Sequence, residues 1–219
     1  RTPILINALV NKLHQLGVTL MSNTSATQCC ITKNKITGIK TSAGYISTPT
    51  ILWSTGAWAP TISSSQGPLY SPKITPIKGQ MIALQNCPIP LKSILYKDGH
   101  YLIPRKDGLI LAGSTLEDVG YSNTTSYRAK EELWQKSIQL LPDLAHSHIA
   151  HHWAGLRPGS KNNIPTIGPH PEIEGLMYNC GHFRYGVAMA PKSCEIITNW
   201  IINSGENLSA QEKSYSRLS

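Results

Sequence analysis

The chain has 219 residues, of which 20 are Lys or Arg and 12 are Asp or Glu, so its formal charge at pH 7 is +8. This length can bury a sizeable core as one large or two small domains, and the positive balance suits anionic ligands such as phosphates or carboxylates. The basic residues are scattered singly or in pairs, which disfavours a nucleic-acid-binding surface.

The cysteines and the hydropathy pattern exclude further classes of protein. The 5 cysteines include the adjacent Cys29 and Cys30 and form no CxxC motif, so we expect neither a disulfide framework nor a zinc site. No apolar run reaches the roughly 18 residues of a membrane span, and no signal-peptide pattern is present. We therefore expect a reduced, cytoplasmic protein. Because the chain opens at Arg1 and not at a Met, we interpret its start as lying within a structural unit.

The first part of the chain predicts one helix followed by short strands. Thr2 is a good N-cap, and leucines recur at helical spacing up to a stop at Gly17. The strand candidates that follow are residues 18–21, 28–32, 35–41 and 50–53. Residues 50–53 are apolar without alternation, as in a strand buried on both faces. The small residues after them, including Gly56, allow a ligand to approach the backbone closely.

The middle of the chain predicts an antiparallel sheet with one helix. Residues 61–73 are rich in Ser, Pro and Gly, and we interpret them as a crossing between domains. A helix is predicted to begin around Thr125 and to end at Pro142. The strand candidates, separated by turns such as Lys-Asp-Gly, are residues 79–85, 93–96, 101–104 and 109–113.

The stretch from 177 to 203 predicts a ligand cradle. Residues 177–180 form a short strand pattern, and Gly181 and Gly186 bound the loop that follows. A helix is predicted over 191–203, with Pro191 in its first turn and Gly205 as a left-handed stop. Its N-terminus would direct free N–H groups and the positive end of the helix dipole at a negative or electron-accepting group.

Two arginines and a tyrosine are the candidates for ligand binding. Arg157 lies between Leu156 and Pro158 in an apolar, turn-rich segment, where a guanidinium can hold a carboxylate through two hydrogen bonds. The alternative is a structural arginine that binds loop carbonyls, and both interpretations apply to Arg184 as well. Tyr101 either presents its hydroxyl to a ligand or is a core residue with a satisfied hydroxyl.

Histidines cluster before Arg157 at positions 146, 148, 151 and 152. Their spacing fits no standard ligand set, so we expect no metal site and interpret these histidines as exposed or helix-following residues. His182 differs because it lies inside the glycine-bounded loop, where an imidazole or its backbone N–H can contact a ligand.

Four segments, in this order, resemble the D-amino-acid-oxidase-like flavoproteins, and among them the glycine oxidases of thiamine biosynthesis. They are YLIPR at 101–105, LAGST at 111–115, WAGLRP at 153–158 and GHFRYG at 181–186. The resemblance runs over nearly the whole chain. It implies a mixed α+β and α/β fold, in which a partial FAD-binding domain of the glutathione-reductase type lacks its N-terminal βαβ unit. An antiparallel-sheet substrate domain with a flanking helix completes that fold. The implied division is 1–69 and 162–219 for the FAD-binding domain and 70–161 for the substrate domain.

The resemblance also implies roles for individual residues. Arg157 would bind the substrate carboxylate, Tyr101 would assist it, and Arg184 would lie near substrate and flavin. The backbone near Ala26 would meet the adenine, and Gly56 would lie at a strand end close to the cofactor. The residues implied to surround the flavin ring are Gly181, His182, Phe183, Arg184, Tyr185, Gly186, Val187 and Ala188.

The implied reaction is oxidative deamination of glycine or a small amino acid. With the amine neutral, the substrate's α-carbon would pass hydride to FAD, and oxygen would regenerate the flavin with release of hydrogen peroxide. The segment 145–160 has no cysteine, so the flavin is expected to be non-covalent. The GxGxxG motif of the family is absent, so a dinucleotide-binding half is expected outside this chain, and homologous oxidases often form homo-oligomers. A D-amino-acid dehydrogenase and a non-catalytic fragment that binds no flavin are the alternatives.

Overall fold

The computed structural model describes residues 2–61, 63–67 and 72–217. Part of the expected domain crossing at 61–73 therefore lies outside the described residues. The α-helices in the described part of the chain are α1 (Thr2–Gln15), α2 (Tyr127–Leu140), α3 (Gly186–Asn203) and α4 (Ala210–Ser214). The strands are β1 (Ala26–Thr32), β2 (Lys35–Thr41), β3 (Gly44–Ser47), β4 (Ile51–Trp53), β5 (Ser63–Ser64), β6 (Thr75–Gln85), β7 (Leu95–Lys97), β8 (His100–Pro104), β9 (Ile110–Gly113), β10 (His148–Gly159), β11 (Thr166–Pro169) and β12 (Leu176–Cys180).

The largest sheet is antiparallel throughout, with strand order β10-β6-β9-β8-β7. One face of this sheet packs against α2, and Ser126 caps that helix by accepting a hydrogen bond from the N–H of Ala129. The buried core between them consists of Ile82, Leu84, Leu102, Ile110, Ala112, Leu133 and Leu144. This confirms the predicted antiparallel sheet and the helix that begins near Thr125.

Two smaller sheets form the other part of the molecule. One has the strand order β3-β2-β1-β5, and the other has the order β11-β12-β4. Strand β12 is antiparallel to β11 and parallel to β4. The two sheets share a core that includes Cys29, Trp53 and Tyr178. Helix α3 packs on the three-stranded sheet through Ile196 and Ile197, so this sheet has buried side chains on both faces.

Strand β10 was not predicted from the sequence. The sequence pattern predicts a histidine segment and a turn-rich stretch here, but these residues pair with β6 from His148 to Gly159. Pro158 lies opposite Pro76 in this ladder. Because β10 is an edge strand, a residue without a backbone N–H is tolerated there, and its proline and glycines do not mark a turn.

Helix α3 begins five residues earlier than predicted. It starts at Gly186 and contains Pro191 in its second turn, so the prediction of a start at 191 is wrong. Pro191 lacks the N–H that would bond to the carbonyl of Val187, but the remaining turns and the buried face of the helix compensate for this. At the other end both Ser204 and Gly205 have left-handed backbone, at φ of 50° and 75°.

Two further strand predictions are wrong in part. Residues 18–21 form no strand in the structure, and the side chains of Val18, Leu20 and Met21 are exposed. An apolar run becomes a strand only where a neighbouring strand satisfies its backbone, and no described strand pairs with this segment. Strand β4 buries Trp53, but Leu52 is 40% exposed, so the strand is not buried on both faces along its length.

No helix in the described ranges is long and apolar enough to cross a membrane.

Candidate active site

The parallel pair β4 and β12 places two glycine-containing turns at one edge of its sheet. The carboxyl ends of parallel strands meet at the same edge, which is where open α/β sheets bind ligands. Gly56 follows β4 and Gly181 follows β12, and their φ angles are 57° and 85°. Glycine adopts such left-handed backbone without a steric penalty, so both chains can turn sharply at this edge.

The loop after β12 is attached to the end of β10. The Ser160 hydroxyl donates a hydrogen bond of 2.7 Å to the carbonyl of Gly181, and the N–H of Phe183 donates one of 3.0 Å to the carbonyl of Pro158. Pro158 follows Arg157 directly, so the candidate flavin loop and the candidate substrate arginine are connected through two hydrogen bonds.

His182 attaches the same loop to α3. Its Nε2 lies 2.9 Å from the hydroxyl oxygen of Ser193, which is itself buried. Burial lowers the pKa of His182 below the ordinary histidine value, so the ring is neutral at pH 7. The histidine therefore holds the loop in place without adding a charge to it.

The N-terminus of α3 presents free backbone donors. Tyr185 occupies the N-cap position and makes no side-chain capping hydrogen bond. Within the described residues, the N–H groups of Gly186, Val187 and Ala188 have no backbone acceptor. Such a helix start suits an anionic or hydrogen-bond-accepting group, so the loop residues present here fit the electron-accepting edge of a flavin.

Arg157 and Tyr101 share one face of the large sheet. Side chains alternate along a strand, and the register places Arg157 opposite Ile77, Trp153 opposite Met81, and Tyr101 opposite Gly113. The core residues between them on the same strands point toward α2. These side chains therefore lie on the face that α2 does not cover.

The guanidinium of Arg157 is held by the turn after β9. Its Nη2 donates a hydrogen bond of 2.9 Å to the hydroxyl of Ser114, and its Nη1 donates one of 3.2 Å to the carbonyl of Thr115. The guanidinium also lies against the backbone of Gly79, where a Cβ would overlap it. The structural interpretation of this arginine is thus correct in part, because it binds a loop carbonyl.

The charge of Arg157 is not compensated within the described part of the chain. Burial lowers the pKa of Arg157, the nearby positive charge of Arg184 lowers it further, and Tyr101 acts in the opposite direction. None of the ion pairs among the described residues involves Arg157 or Arg184. The site therefore has a positive potential that favours a small anion.

Two clefts border the group formed by Arg157, Tyr101 and Arg184. Tyr101 and Met81 line a mostly apolar cleft of about 670 Å³, and the Tyr101 hydroxyl lies 3.8 Å from the sulfur of Met81. Arg184, whose guanidinium carbon lies 5.4 Å from the centre of the Phe183 ring, lines a polar cleft of about 510 Å³ with Leu116. Leu116 is 58% exposed, so it is a cleft residue and not part of the core.

The remaining predicted residues lie apart from this group. Ala26 is the first residue of β1, in a different sheet from the loop, and its adenine contact stays a prediction. His146, His148 and His151 are exposed, as expected, while His152 is half-buried. Among the described side chains, no three His, Cys, Asp or Glu residues gather in a group that could hold a metal ion.

Gly79, Met81 and the acceptor role of Ser114 and Thr115 were not found from the sequence. A glycine in an apolar strand pattern is not distinctive, and its contact with Arg157 depends on the register of two strands that are far apart along the chain. The sequence contains the motif with Ser114 and Thr115, but residue spacing alone does not reveal the hydrogen bonds that these residues accept from Arg157.

Known proteins resemble this chain over most of its length. Its residues 2–200 match the model of the family described as FAD dependent oxidoreductase. It is 41% identical to a glycine oxidase from Pseudomonas putida over 200 residues, which cover 91% of this chain and 54% of that protein. It is 30% identical to a bifunctional protein ThiO/ThiG from Trichormus variabilis, over 93% of this chain and 30% of that protein.

A solved structure gives the same result for the fold. The glycine oxidase from Bacillus cereus superposes with a TM-score of 0.79 at 25% identity, covering 93% of this chain and 54% of that one. This chain thus spans about half the length of the glycine oxidases that it matches. With the family model matched over residues 2–200, the chain belongs to the FAD dependent oxidoreductase family.

Proposed function

We propose that this chain is part of an FAD-dependent oxidase that deaminates glycine or another small amino acid to the imine, with release of hydrogen peroxide. The observation that supports this most directly is Arg157, a half-buried guanidinium with no carboxylate partner among the described ion pairs. A substrate carboxylate supplies the missing negative charge, and the planar guanidinium binds it through two parallel hydrogen bonds. Similarity to glycine oxidases favours a small substrate.

In this proposal each side chain of the group has a separate role. Arg157 holds the carboxylate, and the Tyr101 hydroxyl donates a further hydrogen bond to the substrate. Arg184 adds positive charge at the rim of the site, near substrate and cofactor. Two neighbouring guanidinium groups disfavour a third cation, so they lower the pKa of the substrate ammonium and favour the neutral amine that the reaction requires.

The residues that would hold FAD are the loop and first helical turn at 181–188, with Gly56 at the same sheet edge and Ala26 near the adenine. Their support is the open N–H groups of α3 and the left-handed turns at the glycines. Bound FAD would supply the two-electron oxidation of the substrate's carbon–nitrogen bond. We propose non-covalent binding, since the segment 145–160 has no cysteine.

The wider context is also a proposal. Because the chain spans 54% of the Pseudomonas putida relative and contains no GxGxxG motif, we propose that a dinucleotide-binding half outside these residues holds the FAD pyrophosphate. Similarity to the ThiO/ThiG protein suggests that the product imine serves thiamine biosynthesis. All 5 cysteines are free thiols, which fits a cytoplasmic setting, and a homo-oligomer is the expected assembly.

The proposal is tested on the protein purified under native conditions with any polypeptide that accompanies it. We expect a flavin absorbance band and the formation of peroxide with glycine. Reduction of an artificial dye without peroxide would favour the dehydrogenase instead. A protein that stays colourless after FAD is added, with its dinucleotide-binding half present, would contradict the oxidase proposal and favour a non-catalytic module.

The role of Arg157 gives a sharper test. Arg157→Met keeps much of the side-chain volume and removes the charge, so we expect the KM for glycine to rise by roughly tenfold to a hundredfold, because a charged hydrogen bond contributes about 1.5–3 kcal/mol. Flavin content should not change. Arg217→Met removes an exposed arginine far along the chain and should leave KM unchanged. An unchanged KM in Arg157→Met would exclude the carboxylate role.

A further inference from the structure

Gly79 provides the surface on which the Arg157 side chain lies. A Cβ built on Gly79 would overlap Cζ, Nη1 and Nη2 of Arg157, so only glycine leaves room for the guanidinium in this position. The residue directly opposite in the ladder is Gly155, and a Cβ built there meets no atom within 4 Å. Neither glycine has a left-handed φ, so the backbone itself does not require glycine at either place.

The residues on either side of Gly79 are both buried and both bind Glu117. The side-chain nitrogen of Lys78 forms an ion pair of 2.9 Å with Glu117, and the amide nitrogen of Gln80 donates a hydrogen bond of 2.8 Å to the same carboxylate. Lys78 is 6% exposed and Gln80 is fully buried. The desolvation cost of burying a lysine can cancel the attraction within the ion pair. Stabilisation of the fold is therefore not a sufficient explanation for this pair.

The backbone of the turn is attached to β6 at the same level. Lys78 and Glu117 exchange two backbone hydrogen bonds of 2.8 and 2.9 Å, and the N–H of Thr115 donates to the carbonyl of Gln80. The Thr115 hydroxyl accepts a hydrogen bond of 2.8 Å from the N–H of Gln80. The carbonyl of Thr115 and the hydroxyl of Ser114 are the acceptors that hold Arg157.

We propose that Gly79 and the Lys78–Glu117 ion pair are positioning residues for Arg157. The ion pair holds the turn at 114–117 against β6, the turn holds the two guanidinium nitrogens, and the bare backbone of Gly79 sets how deep the guanidinium lies. This proposal rests on the proposed function of Arg157 as the carboxylate-binding residue. It adds which residues fix the direction in which that guanidinium presents its donors.

The first experiment compares Gly79→Ala with Gly155→Ala in the flavin-loaded enzyme. The added methyl group at 79 should displace the guanidinium, so we expect the KM for glycine to rise at least about tenfold while kcat falls less. Flavin content and the unfolding temperature should stay near wild type. Gly155→Ala adds the same methyl group to the paired strand and should leave KM unchanged. An unchanged KM in Gly79→Ala overturns the proposal.

The second experiment tests the ion pair. Glu117→Gln keeps the size of the side chain and removes its charge, so the turn loosens and KM should again rise more than kcat falls. Glu174→Gln, in the exposed Lys35–Glu174 pair, is the matched control. Lys78→Arg keeps the cation and should preserve KM, whereas Lys78→Met should raise it. A loss of stability in Glu117→Gln with an unchanged KM would show that the pair is only structural.

Crystal structures of Gly79→Ala and Glu117→Gln separate this proposal from the proposed function. Displacement of the Arg157 guanidinium from Ser114 and Thr115 supports positioning, even if the wild-type protein oxidises no amino acid. A guanidinium that stays in its wild-type place in both variants overturns it. If Glu117→Gln does not fold, Gly79→Ala alone decides. Failure of the function itself is recognised independently, by an unchanged KM in Arg157→Met.

Discussion

A side-chain hydrogen bond between His182 and Ser193 attaches the loop in front of α3 to the body of that helix. Ser193→Ala leaves the half-buried Nε2 of His182 without a partner, which should lower the free energy of unfolding by about 1–3 kcal/mol. The higher helix propensity of alanine offsets roughly 0.5 kcal/mol of this loss. Urea denaturation followed by circular dichroism measures the difference.

The control for this prediction lies in the same helix. Thr198 is exposed on α3, so Thr198→Ala gains helix propensity and loses no buried partner. It should be as stable as the wild-type protein or slightly more stable. Equal stability of the Ser193→Ala and Thr198→Ala variants would show that the hydrogen bond does not hold the loop.

For single residues, the local sequence identified the candidate ligand-binding side chains but not their contacts. Arg157, Arg184 and Tyr101 stand out because a charged or hydroxyl-bearing side chain occurs in an apolar segment, and the structure brings all three within electrostatic reach. Their chemical roles stay predictions. Gly79 could not be found in this way, because its importance arises from the packing of Arg157 across two paired strands.

Among the helices and strands, those with a clear hydrophobic period between turn residues were predicted. Strand β10 and the start of α3 were not. Helix α2 and strands β1, β2, β8, β9 and β12 lie close to their predicted ranges, since periodicity and turn residues agree there, whereas β6 begins at Thr75 and not at 79. Strand β10 was missed because an edge strand tolerates proline and glycine, which are turn signals elsewhere. The predicted start of α3 at residue 191 is too late, because proline is more common in the first turn of a helix than in the second, where Pro191 lies.

Helix α1 should be much less protected than α2 when the chain is studied by itself. None of its residues is buried, and Ile4, Leu5, Ile6 and Leu9 are between 47% and 62% exposed. Helix α2 buries Ala129, Leu133 and Ser137 against the large sheet. Tertiary packing and not propensity provides most helix stability, so amides of α1 should exchange with deuterium at least roughly a hundredfold faster than those of α2.

Hydrogen exchange with mass spectrometry measures this difference directly. Peptides that cover Thr2–Gln15 and Tyr127–Leu140 are compared in one sample, so that each serves as the reference for the other. Protection of α1 equal to that of α2 would mean that its apolar side chains are covered in solution, for example by a second copy of the chain.

For the whole molecule, the end of β10 connects the proposed substrate-binding face to the proposed cofactor-binding edge. Arg157 lies on the large sheet, while the next residue, Pro158, accepts the hydrogen bond from the loop that follows β12. A shift of that strand would therefore move both sites together. The sequence predicted the two regions separately, but hydrogen bonds between distant segments are not visible in spacing. The domain boundaries at 69 and 161 stay predictions.

The stability of the whole chain should fall as the pH is lowered from 8 to 5.5. Burial lowers the pKa of His100, His152 and His182, and positive charge from Lys136 and Lys130 adds to this for the first two. Below about pH 6.5 the unfolded chain takes up protons that the folded chain does not bind, so acid favours the unfolded state. Each histidine contributes a slope of up to about 1.4 kcal/mol per pH unit in that window.

Chemical denaturation at a series of pH values measures this slope, and His100→Gln tests its cause. His100 is 6% exposed and lies 3.1 Å from the Ser137 hydroxyl, a hydrogen bond that a glutamine amide can replace, so this variant should have a shallower slope between pH 6.5 and 5.5. His14→Gln changes an exposed histidine of α1 and should leave the slope as it is. The buried Lys78–Glu117 pair does not obscure this result. Burial alone would raise the pKa of Glu117, but its hydrogen bonds to Thr115, Lys78 and Gln80 outweigh burial and hold that pKa below its usual value, so its contribution falls at more acidic pH. A slope that is the same in His100→Gln and wild type would mean that protonation of other groups sets the acid sensitivity of the fold.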